Sequence, residues 1–230
     1  ADVQVCGTNP RETPLLRMNP FAFPENIHIL EHIDRLVEIF NACWPMYAAM
    51  PAVLKDAIER SYQKVGWDLR NSESEKGVFP TFFDLLDILP GVIEESHYSK
   101  DTQSDYVGAL CTRVKSLTNG IYGSVLCAED ALSDAEMFDQ NVIVDLSRVG
   151  SMETKSLLMG ILVMKLQEYR MCSSGMNSRL RHVTVLEEAH NLLRKTSAEQ
   201  SQEGANLQGK SVEMLANAIA EMRTYGEGFI

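Results

Sequence analysis

Two short runs rich in β-branched residues, Asn141-Val142-Ile143-Val144-Asp145-Leu146 and His182-Val183-Thr184-Val185-Leu186, flank a helical stretch from Met152 to Tyr169. The first is a continuous apolar run ending in an acid, the texture of a strand covered on both faces of a parallel sheet, and the second repeats the strand texture. A second helical stretch, Val212 to Tyr225, follows, with Gly226 placed as its C-cap, and Gly228-Phe229-Ile230 begins a third strand. Strand, helix, strand, helix, strand predicts right-handed crossovers and these strands side by side in one parallel sheet. The chain stops inside its last strand, so the natural protein is expected to continue.

The earlier residues have a different texture. Val3 to Cys6 reads as a short strand, the turn formers Gly7 to Pro14 as a loop, and Leu15 to Asn19 as another short strand. From Pro24 onward Ile27, Leu30, Ile33, Leu36, Val37 and Phe40 recur at helical spacing. Ala52 to Tyr62 predicts a second helix with Pro51 just ahead, closed by Gly66-Trp67-Asp68. Arg70 to Gly77 is a polar loop, Phe82 to Leu89 a short helix stopped by Pro90-Gly91, and Tyr106 to Leu117 another helix. The expected division is an incomplete α/β core at 1–22 and 118–230, with a helical insertion at 23–117.

Composition narrows the function classes. With 45% hydrophobic and 23% charged residues among 230, disorder and collagen-like structure are excluded. The longest apolar stretch, Leu157–Met164, lies between Lys155 and Lys165 and is far short of the roughly 20 residues of a membrane span. Ala1 to Val5 lacks the basic patch and apolar run of a secretory signal, so a cytoplasmic location is expected. The five cysteines are scattered without a C-x-x-C pair and read as reduced thiols. The net charge of −11 is uneven: residues 1–150 hold 12 Lys and Arg against 23 Asp and Glu, while 151–230 hold 9 against 9. The acidic part repels nucleic acid, so any DNA contact belongs to the neutral part.

Chemistry concentrates where Val183-Thr184-Val185-Leu186 runs into Glu187-Glu188. Ligands bind at the carboxyl edge of parallel strands, and two consecutive acids there can divide the work: one holds Mg²⁺ through water, the other polarises an attacking water. The competing reading is a solvated loop whose charge favours the start of a following helix. Asp145, at the end of its own strand, is open between a polar site and a strand-end cap. Arg170, Arg179 and Arg181 around Ser173-Ser174-Gly175 read as a solvated surface ahead of a contact to DNA phosphates. His182 and His190 have no partner at metal-ligand spacing, and Trp44 and Trp67 read as core or interface anchors.

Leu186-Glu187-Glu188-Ala189-His190-Asn191-Leu192-Leu193 after an apolar strand, then Glu221-Met222-Arg223-Thr224-Tyr225-Gly226 before a new one, resembles the HerA-like branch of the HerA/FtsK P-loop ATPases. Met18-Asn19-Pro20-Phe21 and Gly66-Trp67-Asp68 are similar to that branch and to the related conjugation ATPases of type IV secretion. The resemblance covers nearly the whole chain and implies a RecA-like parallel sheet, a hexameric ring, ATP and Mg²⁺ as cofactors, and ATP-driven passage of DNA, with an accessory nuclease or secretion components as possible partners. By position, Glu188 matches the catalytic glutamate and Glu187 stands where the family carries the Asp that orients Mg²⁺. Arg223 falls in a context tied to nucleotide sensing, its alternative being a helix-end charge favoured by the macrodipole.

Two departures qualify the match. Glu in place of Asp at 187 lengthens the arm to the metal. No GxxxxGKS/T loop occurs in the family's order: Gly204 to Ser211 fits the bare spacing but follows no strand, and the phosphate-binding loop is expected before residue 1. The chain alone is therefore expected to be inactive. The alternatives are a motor for protein secretion or conjugation, and a non-catalytic interaction module whose acidic helical region binds another protein.

Overall fold

A computed structural model of the chain describes residues 2–128, 130–188, 212–213 and 215–230. In chain order the elements begin with β1 (Gln4–Gly7), α1 (Ile29–Cys43), α2 (Met50–Lys64), β2 (Trp67–Asp68), β3 (Glu73–Ser74) and α3 (Phe82–Glu95). Next come α4 (Lys100–Tyr106), a π-helical turn (Val107–Cys111), α5 (Thr112–Thr118), α6 (Gly120–Leu126) and α7 (Asp134–Phe138). The chain then runs through β4 (Val142–Asp145), α8 (Met152–Ser173), β5 (His182–Thr184), a 3-10 turn (Met222–Tyr225) and β6 (Glu227–Phe229). Helical backbone is also present at 212–213 and 215–221.

The fold is α/β with small parallel sheets. β1 lies parallel to β4, Gln4 opposite Val142 and Gly7 opposite Asp145. β5 lies parallel to β6, His182 opposite Glu227 and Thr184 opposite Phe229. That ladder continues past both strands, with the Leu186 N–H donating to the Ile230 carbonyl at 2.9 Å. The expected single sheet is corrected here: among the described residues, β4 and β5 share no ladder. Apolar runs specify strands but not neighbours, and α8, about 33 Å long at 1.5 Å per residue, carries the chain from β4 to β5 without laying them edge to edge. Leu15 to Asn19 forms no strand, only an isolated bridge from Leu15 to Gly7. Val3, Val5, Ile143, Val183 and Val185 are each at least 40% exposed, so apolar positions on both parallel pairs face solvent.

The helical region forms largely for the reasons its sequence gives. α1 buries Ile29, Ile33, Leu36, Val37 and Phe40, and α2 carries Pro51 in its first turn, where no N–H is needed. α3 opens with Thr81 and Asp84 capping each other's backbone, and it does not stop at Pro90. Pro90 is exposed while Leu89, Val92 and Ile93 are buried, so apolar burial carries the helix through a residue that costs about 3 kcal/mol in a helix interior. The stretch read as a polar loop after Asp68 contributes β3, which pairs antiparallel with β2.

α8 is the hub. It buries Leu157, Leu158, Ile161, Val163, Met164 and Leu166, and with them Lys165, Glu168 and Arg170. The buried charges are paired, as burial demands. Glu168 meets His32 and Arg35 of α1, while Lys165 donates to the Ala22 carbonyl at 3.1 Å and lies 3.3 Å from Asp134. Arg170, read as a surface cation, is 4% exposed. Its guanidinium donates to Glu227 at 2.8 Å, Asp139 at 2.7 Å and the Phe138 carbonyl at 2.5 Å. Glu227 in turn accepts from Thr184 at 2.7 Å and contacts His182 at 2.8 Å, so α8 is fastened to β5 and β6 by one buried carboxylate. Trp44 is 2% exposed in the core, and Trp67 stacks on Phe79.

Candidate functional site

Parallel pairing puts the ends of β1 and β4 on one edge, and those of β5 and β6 on one edge. At the first pair, Gly7 is where the chain turns back against β4: a Cβ there would lie 2.8 Å from the Asp145 carbonyl oxygen and 2.9 Å from Thr13 Oγ1. Glycine permits that approach, and the loop returns with the Gly7 N–H donating to the Pro14 carbonyl at 3.0 Å. Arg148 grips Glu12 through two bonds of 2.5 and 3.1 Å, tying the loop to the turn after β4. Thr8 is buried, and its Oγ1 has no hydrogen-bond partner among the described residues.

Asp145 accepts from the Ser147 N–H at 2.8 Å, and bonding to the side chain and then the backbone of Ser147, helped by Arg148 and Lys155, holds its carboxyl below the ordinary range. It is a strand-end cap that also senses the cations beside it. Past β5, Glu187 and Glu188 occupy an exposed turn. The Lys155 ammonium donates to Glu188 at 2.6 Å, reaching from the first turn of α8 to the end of the β5 segment. Lys155 thus links the carboxyl ends of two strand pairs that share no backbone ladder.

Sequence reasoning missed Lys155 as a site residue. Its signal was present: it stands four residues after Ser151, whose side chain caps α8 by accepting from the Thr154 N–H at 3.3 Å, so it projects from a fixed first turn.

Glu187 and Glu188 therefore lie together, and Arg223 does not join them. It sits, exposed, in the turn before β6, four residues ahead of Glu227, which pairs with His182. The ladder runs from the His182–Glu227 pair to the Leu186–Ile230 hydrogen bond, so Arg223, ahead of Glu227, is at the opposite end of the β5–β6 pair from Glu188. His190 and the Gly204 to Ser211 stretch lie outside the described residues.

No cluster of three or more His, Cys, Asp or Glu that could hold a metal occurs among the described residues. Mg²⁺ bound to a nucleotide asks for less, one or two carboxylates besides phosphate and water, and an exposed Glu187 at a strand end fits that donor set. Among the described residues, no helix is long and apolar enough to cross a membrane.

No family model and no curated protein sequence matches the chain. Among solved structures it is similar to VirB4 of Thermoanaerobacter pseudethanolicus, with a TM-score of 0.65 and 17% identity over all of this chain and 78% of that one. At that identity the likeness is one of fold.

Proposed function

We propose that this chain is part of an ATP-driven motor of the type IV secretion or conjugation kind, built on the P-loop fold of the HerA/FtsK ATPases. The observation that carries the proposal is the likeness to VirB4 along the full length of the chain, with Glu187 and Glu188 following a parallel strand at the edge where such folds bind ligands. In this reading Glu188 orients and polarises the attacking water, and Glu187 holds Mg²⁺ through water. Bound Mg²⁺ supplies neutralisation of the phosphate charge.

Arg223, on the far edge from Glu188, serves the nucleotide of a neighbouring copy in a homo-hexameric ring. The resemblance to HerA-like proteins gives DNA as cargo, whereas the likeness to VirB4 favours the secretion reading, with components of a secretion system as partners on the cytoplasmic side. The net charge of −11 sits more easily with the latter.

The test is to purify the full-length natural protein, determine its oligomeric state with and without ATP, and mix Glu188→Gln subunits with Arg223→Ala subunits. A hexamer with Mg²⁺-dependent turnover, and mixed rings that hydrolyse ATP better than either variant alone, is the expected result. A monomer that neither binds nor hydrolyses ATP supports the interaction module instead.

A further inference from the structure

We propose that Lys155 restrains Glu188, holding the carboxylate in a resting position until the lysine is drawn to another anion. The restraint presupposes the catalytic role of Glu188 argued above. Lys155 and Glu188 are 2.6 Å apart, and their side chains are unequally exposed, 19% for the lysine and 54% for the glutamate. The lysine is the anchored partner. It rises from a capped helix start, its own N–H donating to the Ser151 carbonyl at 2.9 Å. The glutamate is the strained one: its φ is +57°, in the left-handed region that residues bearing a Cβ disfavour.

A carboxylate oxygen bonded to an ammonium is occupied and cannot at the same time accept from an attacking water. While the pair holds, that oxygen of Glu188 is turned to Lys155. Lys155 also helps to lower the Asp145 carboxyl, so its charge reaches a second acid at this edge. The phosphates of an arriving nucleotide compete for it more strongly than either carboxylate, being more highly charged. Transfer of the lysine to phosphate releases Glu188 from this contact when substrate arrives, which makes Lys155 a positioning residue. No covalent bond changes in this exchange.

Steady-state hydrolysis by the full-length protein tests it. Lys155→Met is expected to raise KM for ATP about two- to fivefold, because the phosphates lose the lysine, while kcat, read with substrate bound and the lysine already moved, changes less. Lys155→Arg keeps the charge and is expected to recover most of the lost affinity. A second measurement needs no turnover: thermal midpoints of the nucleotide-free protein carrying Lys155→Met, Glu188→Gln and both together are expected to be non-additive. An unchanged KM in Lys155→Met, or additive midpoints, overturns the restraint; should that variant not fold, Lys155→Gln replaces it. Turnover surviving in Glu188→Gln would instead remove the catalytic reading beneath the proposal, so the two failures are told apart.

Discussion

His32 on α1 and Glu168 on α8 are both fully buried and meet at 2.9 Å, the point where the helical region locks onto the crossover helix. The other ring nitrogen of His32 lies 3.1 Å from the Pro20 carbonyl, and Arg35 approaches Glu168 at 3.4 Å, so no polar atom of the pair faces the apolar core alone. Removing one partner strands the other. Glu168→Ala is expected to cost about 3–5 kcal/mol in denaturant unfolding, and His32→Leu with Glu168→Leu to recover most of it. Costs that simply add in the double variant would contradict the pairing.

The same pair sets an acid limit. Burial pushes the Glu168 carboxyl up, but His32, Arg35 and Lys165 outweigh it and hold it below its ordinary value. A depressed folded-state value means stability that is present above the unfolded-state value, about 4.3, and lost as pH falls through the folded one. Unfolding free energy is therefore expected to fall as pH drops below about 4.3, with a shallower fall in the double leucine variant. An identical acid limb in both proteins would show that Glu168 does not set it.

Two glycines are expected to respond in opposite directions. Gly226 has φ of +82°, and a Cβ there would lie 2.4 Å from the Arg179 carbonyl oxygen. Gly226→Ala is expected to destabilise by more than the roughly 1–2 kcal/mol of the left-handed backbone alone. Gly91, inside α3 with open space at its Cβ position, is expected to gain roughly 0.5–1 kcal/mol on Gly91→Ala. Thermal unfolding of both variants checks the pair.

The strand runs at Val142–Asp145 and His182–Thr184 were legible because an apolar β-branched run bounded by turns has few other uses. Gly226 was legible as a cap for the same local reason, and the structure gives it the left-handed C-cap. What sequence could not supply was adjacency. That β4 pairs with β1, from the far end of the chain, and that Lys155 reaches Glu188 across 33 positions are products of packing around α8. Pro90 misled for a related reason: a local breaker was overruled by burial of the residues around it. The adjacency of the two carboxylates was legible in the sequence, and the contact of Lys155 with Glu188 was not.

Arg170 supplies a contrast with its neighbours in sequence. Because it is 4% exposed and holds Glu227 and Asp139, Arg170→Met is expected to destabilise by about 3 kcal/mol or more. Arg179→Ala, on an exposed residue, is expected to change stability by less than about 0.5 kcal/mol. Equal effects in a denaturant titration would mean that the three arginines form one surface after all.

Nucleotide affinity and turnover of the full-length protein carrying Glu188→Gln test the motor reading most directly. The amide keeps the size of the side chain but cannot polarise the attacking water, so Mg²⁺-dependent ATP hydrolysis is expected to vanish while ATP binding survives or tightens. Glu187→Ala is expected to weaken Mg²⁺-dependent binding instead, giving two separable defects that a pair of solvated helix-start charges would not produce. Wild-type turnover in Glu188→Gln would contradict the account.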